Sequence, residues 1–115
     1  MKYLSILFLP LLAMNANASH SCTGTVTNVD VSGNNIHAQI EGIGTGNQIC
    51  SLTQTQGEYS PEACKAVFSM LLSAKMSEKK IRLYFRNDSN TSCNKGSWQV
   101  FNNPDFGLYY VRLEG

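Results

Sequence analysis

The sequence predicts a small, mainly β domain with one helix, in the order β-β-β-α-β-β. Three observations carry this reading. Short segments alternate apolar and polar residues, one stretch opened by Ser60-Pro61-Glu62 spaces its apolar residues by three and four, and all four cysteines follow an apolar N-terminal run.

Lys2 precedes an apolar run from Tyr3 to Met14 that is too short to cross a bilayer, and Ala16-Asn17-Ala18 gives the small-x-small pattern of a cleavage site. Residues 1–18 are therefore expected to be a signal peptide and 19–115 a single exported domain, periplasmic or secreted, with no membrane span after cleavage. An uncleaved anchor helix, the alternative, calls for a longer apolar run. Without Lys2 the basic residues equal the eight acidic ones, so the mature charge is near zero and nucleic acid is not an expected partner.

An even number of cysteines in an oxidising compartment predicts two disulfides. Three pairings are open. Cys50 with Cys64 is favoured because the two are close in sequence and flank an expected loop, which leaves Cys22 with Cys93. Zinc is the rival use, but no C-x-x-C pair exists and neither His20 nor His37 stands at ligand spacing, so no metal and no cofactor are expected.

The first strand lies in Thr23 to Ser32, rich in β-branched residues, and ends in the turn residues Ser32-Gly33-Asn34-Asn35. Its alternation changes phase between Val26 and the pair Val29 and Val31, which predicts a bulge or bend near Thr27-Asn28. In the second strand Ile36, Ala38 and Ile40 face one way and His37, Gln39 and Glu41 the other. Gly42 to Asn47 reads as a turn, Gln48 to Thr53 as a third strand with Cys50 and Leu52 inward, and Gln54 to Tyr59 as a loop. Ser60 then caps a helix with Pro61 at its first position and Glu62 near the positive end of the dipole. The helix is expected to reach Ala74–Met76 and to bury Cys64, Val67, Phe68, Leu71 and Leu72, with Lys65, Ser69 and Lys75 away from that stripe. Lys79 to Arg86 gives a fourth strand, with Ile81, Leu83 and Phe85 opposite Arg82, Tyr84 and Arg86. Asn87 to Asn94 is a polar loop, Gly96 to Phe101 a short extended piece, and Gly107 to Glu114 a fifth strand whose Tyr109, Val111 and Leu113 share a face.

This is the element order of the oligonucleotide/oligosaccharide-binding (OB-fold-like) barrel, which is five-stranded and partly open, with a helix between its third and fourth strands. A generic α+β sandwich competes with it, and the bend inferred in the first strand favours the barrel.

No catalytic constellation is visible. His20 is expected in a mobile mature N-terminus, His37 on an outward strand face, and the carboxylates are scattered without a paired motif, so enzymatic activity is not expected. Asn87-Asp-Ser and Asn90-Thr-Ser match the glycosylation sequon, a pattern common by chance in polar loops. What remains is binding. Tyr59, Tyr84, Trp98 and Tyr110 are amphipathic aromatics suited to stacking on sugar rings or anchoring a protein, and Arg82 and Arg86 flank Tyr84 as a basic aromatic patch for an acidic sugar.

The apolar leader, Cys22-Thr-Gly-Thr-Val, Ile49-Cys50, the helix segment Ala66-Val-Phe-Ser-Met-Leu-Leu-Ser-Ala and the strand Lys80-Ile-Arg-Leu-Tyr-Phe together resemble the subtilase cytotoxin B subunit-like family, pentameric toxin B subunits and their standalone bacterial relatives. The resemblance runs loosely from Cys22 to Cys93. It implies the barrel, a homo-pentamer, and a shallow sialic acid pocket near the first strand, with Thr23 standing where that family uses a serine hydroxyl and Phe85 where it uses a tyrosine. The expected function is thus an exported non-enzymatic module that binds a cell-surface glycan through Thr23, Arg82, Tyr84, Phe85 and Trp98. The alternative is a periplasmic structural or protein-interaction component, inhibitor-like, with the same barrel and no sugar site.

Overall fold

The computed structural model describes residues 19–115, so the expected signal peptide lies outside the described residues. Strands β1 (His20–Ser32), β2 (Asn35–Ile40) and β3 (Gly44–Ser51) are followed by helix α1 (Pro61–Ser77) and strands β4 (Lys80–Phe85) and β5 (Leu108–Leu113). They form one antiparallel sheet in the order β3-β2-β1-β4-β5.

β1 is the spine. Its first half, His20 to Thr25, pairs with β4, and its second half, from Val26, pairs with β2. The changeover coincides with a register shift between Val26 and Asn28, where the sequence changes the phase of its apolar residues. A bulge sharpens local twist and bends the strand, so one continuous segment serves both halves of the sheet. On β2 the alternation holds as expected, with Ile36, Ala38 and Ile40 buried and His37 and Gln39 half-buried on the other face.

α1 begins as its sequence dictates, with Ser60 Oγ accepting a hydrogen bond from Ala63 N at 3.1 Å and Pro61 opening the first turn. It ends at Glu78, whose left-handed φ of 59° lets Lys79 N reach Ala74 O at 3.0 Å. The helix reaches all five strands, β1 most of all, so the sheet curves around it. Cys64, Val67, Leu71 and Ala74 form its buried stripe. This stripe differs slightly from the expected one: Phe68 is half-buried and Leu72 is 38% exposed, because the inner face is centred on Leu71 and includes Ala74.

Two disulfides complete the frame, Cys50–Cys64 joining β3 to α1 and Cys22–Cys93 joining β1 to the loop after β4, the pairing that the loop argument favours.

β3 corrects the sequence reading. It starts at Gly44 rather than Gln48, and the tight turn is shorter, closed by Ile43 N donating to Ile40 O at 2.9 Å. Gly42 serves the turn at φ 85°, but Gly44 and Gly46 are there because another chain segment comes close. A Cβ on Gly44 would collide with Gly96 O and one on Gly46 with the Trp98 ring. The strand also stops earlier than expected, at Ser51, whose hydroxyl accepts from Thr53 N and Gln54 N at 3.2 Å and turns the chain.

The expected extended piece at Gly96 to Phe101 is a loop rather than a strand, with a parallel bridge from Val100 to Gln48. It runs beside the outer edge of β3: Lys95 N donates to Ile43 O at 2.7 Å, Trp98 N to Thr45 O at 3.0 Å, Gln48 N to Gln99 O at 2.8 Å and Phe101 N to Gln48 O at 2.9 Å. Phe101 O then accepts from Leu108 N at 2.9 Å, so this loop connects the β3 edge to the start of β5.

Candidate functional site

The sheet's outer face over β1, β4 and β5 gathers Thr23, Arg82, Tyr84 and Tyr110 from among the polar and aromatic residues that the sequence singled out. Because side chains alternate across a strand, register decides which of them meet. Thr23 stands opposite Arg82, and Arg82 opposite Arg112; one row along, Ser21 stands opposite Tyr84, and Tyr84 opposite Tyr110. Thr23 and Tyr110 are exposed and Tyr84 is half-buried.

The two arginines share one carboxylate. Arg82 Nη2 donates to Glu114 Oε1 at 3.2 Å and Arg112 Nε forms an ion pair with Glu114 Oε2 at 3.3 Å, while Arg82 Nη1 donates to Ser21 Oγ at 3.2 Å. The Tyr84 hydroxyl, and then Glu114, push the Arg112 guanidinium above its usual value. Two cations against one anion leave the patch positive. Beside it the rings of Tyr84 and Tyr110 meet edge to face with centroids 5.0 Å apart, a preferred aromatic geometry that fixes their orientation. The patch thus combines a fixed aromatic surface, a hydroxyl and guanidinium groups suited to a carboxylate.

Phe85 cannot belong to that face. Alternation puts it on the inner side of β4, where it is 0% exposed and packs against Phe101 at 5.1 Å and Phe106 at 6.2 Å between centroids. Its place in the resemblance to the toxin family is occupied by a core side chain that no ligand reaches. Arg86 also leaves the face: it follows the last residue of β4, pairs with Glu58 at 3.0 Å and lies over the Tyr109 ring at 4.1 Å. Tyr59 is buried, with burial and then the Glu58 charge pushing its phenol well above the ordinary value.

Trp98 is apart from the arginine patch. It is 70% exposed, sits in the left-handed region at φ 59°, and lays its ring on Gly46, with the His37 ring 6.4 Å away between centroids. A bulky residue in that region costs about 1–3 kcal/mol, so something must hold it. Buried Asn47 does so from both sides, its Nδ2 donating to Gly96 O at 3.0 Å and its Oδ1 accepting from Gln99 N at 2.7 Å.

Sequence reasoning missed a third cluster. The Lys95 side chain is 0% exposed, and its Nζ meets Asp88 Oδ2 at 2.8 Å, Asn90 O at 2.7 Å and His20 Nε2 at 2.8 Å, with the Phe85 ring 5.0 Å beneath it. His20, expected in a mobile terminus, is instead a residue of β1 paired with Phe85. Burial alone would raise the Asp88 carboxyl, but the Lys95 hydrogen bond, the Asn90 N–H and the charges of Lys95 and His20 outweigh it and hold it below its usual value. A buried ammonium needs such partners, and this one pins the loop that also carries Cys93. A lysine in a polar, aperiodic loop gives no sequence signal for this.

Among the described residues, shallow clefts elsewhere include one along Gln39 to Thr45 and one around Gly57, Arg86 and Asn102 to Pro104. Among the described residues no three His, Cys, Asp or Glu side chains converge as a metal site. No protein-family model, curated protein or solved structure matches the chain.

Proposed function

We propose that this chain is an exported, non-enzymatic binding module, similar to toxin B subunits, that takes an acidic, sialylated glycan on the outer face of β1, β4 and β5. The observation that carries the reading is the meeting of Thr23, Arg82 and Tyr84 with Arg112 and Tyr110 on one face. In this reading Tyr84 and Tyr110 support the sugar ring, Arg82 and Arg112 receive its carboxylate in competition with Glu114, and the Thr23 hydroxyl fixes its orientation. Phe85 has no part in it.

The reading extends to architecture and location. Closure of the sheet as an OB-fold-like barrel runs through the loop from Lys95 to Phe101, whose hydrogen bonds to β3 and β5 support it. Assembly as a homo-pentamer would multiply a weak single-site affinity through avidity. Two disulfides suit a periplasmic or secreted location, reached through cleavage after Ala18.

The test is a glycan array of the folded, oxidised mature protein, with its oligomeric state measured by light scattering. Selective binding to sialylated glycans, lost on enzymatic desialylation and weakened at least tenfold by Arg82→Ala or Thr23→Ala, is the expected result. A folded monomer that binds no glycan would overturn the proposal in favour of a periplasmic protein-interaction role.

A further inference from the structure

We propose that Trp98, His37 and the backbone of Gly46 form a second, separate binding site, which takes the apolar face of a neutral pyranose ring. Trp98 is held in a left-handed conformation while 70% of its surface faces solvent, so burial does not recover the conformational cost. The structure nevertheless fixes it in place, through Trp98 N on Thr45 O at 3.0 Å and the two bonds of buried Asn47 to Gly96 and Gln99. An aromatic ring presented rigidly to water loses little freedom on binding a ligand.

The surroundings select the ligand. One side of the indole rests on Gly46, where no side chain intervenes, and the exposure of the residue leaves a flat apolar surface towards solvent. The hydrogen-bearing face of a pyranose matches such a surface. His37 Nδ1 lies 2.8 Å from Gly46 O, and because a carbonyl only accepts, Nδ1 carries the hydrogen. With the hydrogen on Nδ1, Nε2 would serve as the acceptor for a sugar hydroxyl, on a ring whose centroid lies 6.4 Å from that of the indole. No ion pair involves either ring among the described residues, which suits a neutral sugar and sets this site apart from the arginine patch.

Trp98 is the one tryptophan of the chain, so its emission reports on this site alone. Folded mature protein is titrated with methyl β-galactopyranoside, methyl β-glucopyranoside and lactose. A saturable change in Trp98 emission with at least one of them is expected, with a midpoint in the roughly millimolar range of a weak single-ring contact. His37→Phe, which keeps an aromatic neighbour but removes the acceptor, should weaken binding at least tenfold; His37→Gln, which restores a hydrogen-bonding side chain, should recover part of it. Arg82→Ala and Thr23→Ala should leave the titration unchanged, which separates this site from the acidic-glycan face. The proposal is overturned if a protein folded by circular dichroism shows no saturable change with any of the three sugars at about 100 mM. It is equally overturned if Trp98 responds only to sialylated ligands and loses that response in Arg82→Ala.

Discussion

Replacing Lys95 by methionine keeps an unbranched side chain of similar reach and deletes its ammonium. In the native protein that group serves Asp88 at 2.8 Å, Asn90 O at 2.7 Å and His20 Nε2 at 2.8 Å, with the lysine side chain 0% and the Asp88 side chain 13% exposed. Removing one member of a buried ion pair typically costs about 3–5 kcal/mol, because the remaining charge is stranded. Asp88 keeps some contact with water and still accepts from Asn90 N at 3.0 Å, which places the expected loss at the lower end, about 3 kcal/mol. That is a large part of the 5–15 kcal/mol, roughly, that a domain possesses. Urea unfolding at pH 7 reads it as a lower midpoint at unchanged slope. The loss should depend on pH. The folded Asp88 carboxyl lies below its unfolded value, so its stabilisation is complete above the unfolded value and is lost as pH falls through the folded one. The gap between native protein and Lys95→Met should therefore narrow below about pH 4, the ordinary aspartate range. A loss under about 1 kcal/mol at pH 7 would refute the reasoning, as would a gap that persists undiminished into acid, which would assign Lys95 to packing rather than charge.

Two further outcomes follow from the fold. Removing both cysteines of Cys22–Cys93, with a sequence separation of 71, should cost more than removing Cys50 and Cys64, with a separation of 14. Loop entropy sets these at about 4 and about 3 kcal/mol, to be checked by denaturant unfolding of each double Cys→Ala variant. Leu71→Ala should lose about 2–5 kcal/mol and Leu72→Ala under about 1, since Leu71 is fully buried and Leu72 is 38% exposed; equal losses in thermal unfolding would return the helix to the wider stripe.

The strands and helix were readable because each writes its own burial into local order. A residue on β2 or β4 faces inward or outward by parity, so Ile36, Ala38, Ile40, Ile81, Leu83 and Phe85 could be placed in the core without knowing what they touch. The break in that parity at Thr27-Asn28 marked the bulge, and Ser60-Pro61 marked the helix start, for the same local reason. The candidate face was half legible. Parity put Arg82 and Tyr84 together, but Arg112 and Glu114 join them through pairing between β4 and β5, a distance the chain order does not state. The same parity assigned Phe85 to the inner side of β4, against the role that resemblance lent it.

The roles of Gly44, Gly46 and Lys95, and the separation of Trp98 from the arginine patch, depend on a distant segment. Gly44 and Gly46 suggest a turn in one dimension; in space they make room for Gly96 and Trp98, about fifty residues on in the sequence. Lys95 looks like a solvated loop residue until folding closes Asp88, Asn90 and His20 around its ammonium. Local sequence records which side of an element is apolar, whereas the approach of one backbone to another leaves no periodic trace, and those approaches are what built the tryptophan surface and the buried lysine of this protein.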